Sequence, residues 1–140
     1  MKIFLDTADV SFIQPAYETG LIDGVTTNPS LILKSGRQLL EVIDEIHTEF
    51  PKLQSISAEV VAETAEEMLS QARQYYSIAP AVTIKVPCTV EGLKACKFLT
   101  DVGTQVNVTL VFSVAQAILA SKAGATFISP FVGRWMDNSI

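Results

Sequence analysis

Short runs of apolar and β-branched residues alternate with longer segments of helical periodicity along the whole chain. Such runs, bounded by polar residues and glycines, are typical of buried strands. They comprise residues 2–5, 24–27, 55–60, 82–86, 105–111 and 126–129. Between them, apolar residues recur at helical spacing, as in the stripe of Leu39, Ile43, Ile46 and Phe50. The pattern therefore predicts six strands alternating with five helices.

Helix boundaries have their own signals. Thr64 with Glu67, and Ser113 with Gln116, have the spacing of a capping box. Three glycines stand where helices are expected to end: Gly20, Gly103 and Gly124. Pro15 falls inside the first predicted helix, which is therefore expected either to start late or to bend there.

Alternating strands and helices predict βαβ crossovers and a parallel sheet. A doubly wound sheet usually carries a glycine-rich phosphate-binding turn after its first strand, and the segment FLDTADV has none. The pattern favours an α/β fold of the (β/α)8 barrel type, which typically needs ~250 residues. The chain has 140 residues, so we expect one partial barrel domain over residues 1–140, with about six of the eight units.

Composition excludes several classes of function. The net charge is −5, with an isoelectric point near 4.8 and no basic cluster, which argues against nucleic-acid binding. No segment resembles a signal peptide or a membrane span. Cys88, Cys96 and His47 do not have the spacing of metal ligands. We expect a soluble cytoplasmic protein with reduced thiols, no metal site and no membrane association.

Polar residues stand at the predicted carboxyl ends of the apolar strands, where parallel α/β folds bind ligands. They are Asp6, Thr26, Thr27, Asn28, Glu59, Lys85, Asn107, Thr109 and Ser129. Each has a structural explanation when taken alone: Asp6 could cap a helix, and Asn28 could start a turn before Pro29. Because the strand ends of a barrel converge on one mouth, their joint occurrence favours a binding site.

Lys85 lies inside the apolar run of residues 81–86, where an ammonium group is costly to bury. One interpretation is a lysine whose stem is buried and whose head reaches the rim. The other is an amine nucleophile that forms a Schiff base, since burial disfavours the unreactive ammonium. A nearby carboxylate such as Glu59 or Asp6 could move protons, but it would also favour the ammonium, and the sequence leaves that balance open.

Arg134 is a candidate ligand for an anionic substrate, because it follows Ser129 by five residues and arginine binds phosphate in a bidentate manner. An ordinary surface arginine is an equally good explanation on sequence alone.

Two long motifs carry a family resemblance. GVTTNPSLI at residues 24–32 and VTIKVPCTVEGL at residues 82–93 resemble the two signatures of the transaldolases, the second of which surrounds the Schiff-base lysine. FLDTAD at 4–9, NVTLVFS at 107–113 and ISPFVGR at 128–134 are also similar to the family. The similarity covers nearly the whole chain and indicates the small subfamily that includes the fructose-6-phosphate aldolases.

The resemblance implies class I aldol chemistry on a TIM barrel, without metal or cofactor. It implies that Lys85 attacks the ketone of a ketose phosphate, and that Asp6 is the acid–base group of carbon–carbon cleavage. Glu59 and Thr109 match the pair that holds a proton-transferring water. The remaining matches are implied substrate contacts: Thr27, Asn28, Ser129, Phe131 and Arg134. The resemblance also implies a homo-oligomer in the pentose phosphate pathway.

Two positions distinguish the transaldolases from the fructose-6-phosphate aldolases of the same subfamily. Fructose-6-phosphate aldolases resembling this chain carry glutamine at position 59 and tyrosine at position 131, whereas this chain has Glu59 and Phe131. A carboxylate can move a proton and an amide cannot. The resemblance therefore favours a transaldolase over an aldolase.

The chain departs from the family at its carboxyl end, because small transaldolases continue through two further strands. We expect a C-terminally truncated form, in which the first and sixth strands are sheet edges. The alternative to an active enzyme is an incomplete, non-catalytic barrel that associates with itself or binds a sugar phosphate without turnover.

Overall fold

The computed structural model describes residues 1–132, and its strands occur where the apolar runs predict them. The six strands are β1 (Phe4–Asp6), β2 (Gly24–Thr26), β3 (Ser55–Glu59), β4 (Val82–Pro87), β5 (Gln105–Val111) and β6 (Phe127–Pro130). The helices are α1 (Val10–Glu18), α2 (Pro29–Ser35), α3 (Leu39–Glu49), α4 (Ala65–Tyr76), α5 (Val90–Asp101) and α6 (Val114–Lys122).

All six strands are parallel and are ordered in the sheet as they are in the chain, β1-β2-β3-β4-β5-β6. Each crossover therefore advances the sheet in the same direction. Because βα crossovers are right-handed, this order places all the helices on one face of the sheet. A doubly wound sheet would reverse its strand order at a switch point. The observed order is that of a barrel wall.

The hydrophobic core lies between this helical layer and the facing side of the sheet. Strand residues that point to the helices are fully buried, among them Val25, Ile56, Ile84 and Val106. They pack with buried helix residues such as Ile43, Met68 and Leu99. Successive side chains of a strand point to opposite faces, so the alternate residues point to the inner, concave face. That face carries Lys85 and six further polar residues at the strand ends: Asp6, Thr26, Glu59, Asn107, Thr109 and Ser129.

Several helix signals are confirmed. Thr64 and Glu67 form the complete capping box of α4. The three glycines follow the helix C-caps with φ between 73° and 96°. Ser113 caps α6 by accepting the amide of Gln116, but the Gln116 side chain accepts the amide of Phe112, so the second capping box is incomplete.

One expectation about the helices was wrong, and one of two alternatives is excluded. Six helices are described instead of five, because Pro29–Ser35 forms the short helix α2. It has no fully buried residue, although Leu31 and Ile32 pack against the core. Helix α1 begins at Val10 with Pro15 inside it, so the late start offered as one alternative does not occur.

An aromatic contact spans the concave face at the amino ends of the outermost strands. The rings of Phe4 in β1 and Phe127 in β6 lie 5.3 Å apart, edge to face. The two strands are at opposite ends of the strand order, so the sheet must curl strongly to bring them together. Among residues 1–132, no helix is long and apolar enough to cross a membrane.

Candidate active site

The site is built on a row of residues that share one register across the four strands β3 to β6. Glu59, Lys85, Asn107 and Phe127 are successive Cα partners. Partners in parallel strands point to the same face. The row therefore lies on the inner face, and the residues that follow two positions later, Thr109 and Ser129, extend it toward the carboxyl ends of the strands.

Lys85 and Glu59 form the centre of the site. Lys85 Nζ lies 3.3 Å from Glu59 Oε2, with side-chain exposures of 13% and 26%. The same ammonium donates to the carbonyl oxygen of Thr27 at 3.3 Å. Lys85 thus reaches across β3 to the end of β2, and both of its partners are acceptors. A buried stem with the amine at the mouth agrees with the first interpretation of Lys85, and its role as a nucleophile stays a prediction.

Asp6 is held at the edge of the site by β2. The hydroxyl of Thr26 donates to Asp6 Oδ1 at 3.0 Å, and the two residues are register partners. The sequence reasoning counted Thr26 among the strand-end residues but gave it no individual role, whereas here its hydroxyl orients the Asp6 carboxylate. The signal for it was available, because parallel pairing of β1 with β2 places the two residues side by side.

Thr27 and Asn28 have structural roles as well. The Thr27 side chain is fully buried and its hydroxyl donates to the carbonyl of Ser57 at 2.7 Å, so this residue faces the site only through its carbonyl. Asn28 caps α2, because its Oδ1 accepts the amide of Leu31 at 3.0 Å. Among residues 1–132, no hydrogen bond of its side-chain NH2 group occurs, so this group can donate to a ligand.

The far side of the mouth is formed by β5 and β6. Ser129 Oγ donates to Asn107 Oδ1 at 2.8 Å, which leaves its oxygen as an acceptor. Thr109 is buried, with only 6% of its surface exposed. No hydrogen bond of its hydroxyl occurs in the part of the chain that is described. The ring of Phe131 lies 5.5 Å from that of Phe112, which the sequence reasoning did not single out. Arg134 lies outside the described residues.

Other nucleophiles are less suitable. Burial raises the pKa of the Cys88 thiol, and it raises the pKa of Cys96 to about 11. Both thiols are therefore protonated and weakly nucleophilic near neutral pH. Within residues 1–132, no group of three or more His, Cys, Asp and Glu residues could hold a metal ion.

Comparison with known proteins agrees with this geometry. The sequence profile of the transaldolase/fructose-6-phosphate aldolase family matches residues 3–139. A probable transaldolase of Cereibacter sphaeroides is 59% identical over 98% of this chain and 62% of its own length. That of Paracoccus denitrificans is 58% identical with the same coverage. The chain thus spans less than two thirds of the length of these curated relatives.

Solved structures with little sequence identity have a similar fold. A 3-hexulose-6-phosphate synthase superposes with a TM-score of 0.65 over 95% of this chain and 67% of its own, at 17% identity. A 2,3-dimethylmalate lyase superposes with a TM-score of 0.64 over 93% of this chain, at 13% identity. These likenesses concern the fold alone, and with the strand order they confirm a (β/α)8-type barrel wall of six units. By its sequence, the chain belongs to the transaldolase/fructose-6-phosphate aldolase family.

Proposed function

We propose that the protein is a transaldolase that transfers a three-carbon dihydroxyacetone unit through a Schiff base on Lys85. One observation carries the proposal: the Lys85 amine lies 3.3 Å from the Glu59 carboxylate at the carboxyl ends of neighbouring strands. A half-buried amine beside a carboxylate combines the nucleophile with a group that can move its protons.

The first step is formation of the imine. The unprotonated Lys85 nitrogen attacks the C2 ketone of a ketose phosphate, a carbon–nitrogen bond forms, and the resulting carbinolamine loses water. Glu59 takes up the ammonium proton and returns it to the departing hydroxyl. Thr109, two residues beyond the Lys85 register partner Asn107, would help to hold a water in this transfer.

The second step is cleavage of the C3–C4 bond. Asp6 takes the proton of the C4 hydroxyl, the C3–C4 electron pair moves to the iminium, and an aldose phosphate leaves. The enamine that remains then attacks the aldehyde carbon of an acceptor aldose phosphate in the reverse sequence. We propose fructose 6-phosphate or sedoheptulose 7-phosphate as donor, with the pentose phosphate pathway, the cytoplasm and a homo-oligomer as the setting.

Intact-mass analysis after borohydride reduction tests the proposal. Incubation with fructose 6-phosphate is expected to add one reduced three-carbon unit to the wild-type chain and nothing to Lys85→Arg, which keeps the charge but not the nucleophile. Absence of the adduct from the wild type, or its persistence in Lys85→Arg, contradicts the proposal. The first of these results would instead favour the non-catalytic barrel fragment.

A second measurement separates transaldolase from aldolase. With Glu59 intact, release of glyceraldehyde 3-phosphate should continue beyond one turnover only when erythrose 4-phosphate is present. Glu59→Gln is isosteric and cannot move a proton, so it should increase the share of free dihydroxyacetone among the products. Turnover of the wild type without an acceptor would favour the fructose-6-phosphate aldolase alternative.

A further inference from the structure

Strand β5 contains a backbone irregularity next to the site. Leu110 has a φ of 59°, and it is the one non-glycine residue with positive φ in the range 1–132. The left-handed conformation costs an L-residue roughly 1–2 kcal/mol. The Leu110 side chain is 37% exposed, so its own packing does not account for the conformation.

The pairing of β5 with its neighbours locates the irregularity. On the β4 side, the register is regular as far as Pro87↔Thr109. On the β6 side, Val108↔Ile128 is followed by Val111↔Pro130. Three steps along β5 therefore correspond to two along β6. One extra residue is accommodated between Val108 and Val111, which is a β-bulge.

Carbonyl directions give independent evidence for the same shift. The oxygen of Val106 accepts an amide from the β6 side, and that of Thr109 accepts the Cys88 amide on the β4 side. Regular alternation would direct the odd-numbered Val111 carbonyl to the β4 side as well. It instead accepts the amide of Phe131 at 3.3 Å, on the β6 side.

The side chains follow the backbone. Val111 is 1% exposed and packs in the core with Val106 and Val108, although it is an odd number of residues from both. Phe112 comes to the inner face, where its ring meets that of Phe131. In a regular strand, Thr109 and Val111 would share the inner face and Phe112 would point to the helices.

We propose that Leu110 is a positioning residue whose left-handed backbone reverses the side-chain alternation of β5, so that Thr109 and Phe112 both face the site. This inference rests on the proposed function for its catalytic consequence. Phe112 and Phe131 then form an apolar wall beside Ser129 that excludes water from this side of the imine. Pairing with β6 holds Leu110 in this conformation and so keeps both rings on the inner face.

A matched pair of substitutions tests the proposed left-handed backbone at Leu110 without any substrate. In a regular strand, glycine is less stable than alanine by roughly 0.5–1 kcal/mol, whereas at positive φ the order is inverted. We therefore expect Leu110→Gly to have a higher urea midpoint than Leu110→Ala. Both variants remove the leucine side chain beyond Cβ. A higher midpoint for Leu110→Ala would overturn the inference.

Function is tested with Leu110→Asn, Leu110→Gly and Leu110→Val. Asparagine and glycine adopt the left-handed region readily, and β-branched valine resists it. NMR contacts between the rings of Phe112 and Phe131, assigned with Phe112→Leu, should persist in the first two variants and be lost in Leu110→Val. Borohydride trapping with fructose 6-phosphate should slow by about tenfold or more in Leu110→Val and remain within about threefold in the others.

The outcomes separate the two proposals. If the wild type forms no adduct, the proposed function fails, and the urea midpoints and ring contacts still decide the role of Leu110. If the wild type forms the adduct and Leu110→Val reacts as fast with its ring contact intact, the positioning role fails alone. If Leu110→Gly and Leu110→Val lose the same share of the trapping rate, the effect belongs to the leucine side chain. That result would also overturn the inference.

Discussion

At the scale of single residues, the polar groups of the site already have partners that restrict what they can do. Ser129 donates its proton to Asn107, and Asn28 accepts an amide from α2. Ser129 Oγ then offers a ligand hydroxyl an acceptor, and the side-chain NH2 group of Asn28 offers it a donor. The two side chains therefore offer a ligand complementary hydrogen-bonding groups.

The double role of Asn28 can be separated by substitution. Serine also caps helices well but lacks the amide donors, so Asn28→Ser should keep the stability of the wild type and slow imine trapping by about tenfold. Asn28→Ala removes both functions and should slow trapping equally while costing a further ~1 kcal/mol of stability. Urea denaturation and borohydride trapping check the two effects. Equal stability of the two variants would contradict the capping role.

At the scale of elements, the junction between β4 and α5 fixes the strand that carries Lys85. Gly92 is buried in the first turn of α5, and its amide donates to the Thr89 hydroxyl that caps the helix. A methyl group at Gly92 would collide with the backbone carbonyl of Pro87, two residues after Lys85. The helix can approach the strand end closely only because this residue has no side chain.

Gly92→Ala is therefore expected to destabilise the protein, although alanine favours helices. Overpacking against backbone costs about 1–3 kcal/mol, and displacement of α5 should also slow trapping at Lys85. Gly20→Ala is the matched control, because nothing lies within 4 Å of its added Cβ and only its φ of 73° opposes the change. Gly20→Ala should lose stability because alanine disfavours a positive φ, and its rate of borohydride trapping at Lys85 should equal that of the wild type. Normal trapping by Gly92→Ala would show that the junction does not position Lys85.

The sequence predicts a strand or helix well where its apolar residues recur at a single regular spacing. Alternation in residues 82–86 identifies both the buried strand β4 and the inward direction of Lys85, and all six strands were predicted to within one or two residues. Helix α2 was missed because its signal is a cap, Asn28 followed by Pro29, without an apolar stripe. The bulge at Leu110 was missed for another reason. Leucine gives no sign of a left-handed conformation, which here is imposed by pairing with β6.

At the scale of the whole molecule, the strand order distributes the site over the entire sheet. Glu59 and Lys85 lie on the central strands β3 and β4, respectively. Asp6 and Ser129 lie on β1 and β6, at opposite ends of the order. Neighbouring strands are fixed relative to one another by backbone hydrogen bonds. The separation of Asp6 from Ser129 instead depends on how strongly the sheet curls, and the contact of Phe4 with Phe127 holds that curl.

Phe127→Ala is expected to separate the two proposed reaction steps. Loss of the ring contact should cost about 2 kcal/mol of stability. Trapping of dihydroxyacetone itself should be reduced less than trapping from fructose 6-phosphate, because only the latter requires Asp6 for carbon–carbon cleavage. Phe98→Ala removes a half-exposed ring from α5 and serves as the control. Equal reduction with both donors would mean that the ring contact does not set the position of Asp6.

The contact between Phe4 and Phe127 also bears on specificity. Asp6 and Ser129 each follow one of these rings by two residues, roughly 7 Å along the strand. The width of the mouth is thus set one layer beneath it, by the size of two aromatic side chains. In the proposed transaldolase, substitutions in that layer would change the separation of Asp6 and Ser129 while both residues stay the same. Selection for a new donor would then act on packing in the floor of the barrel.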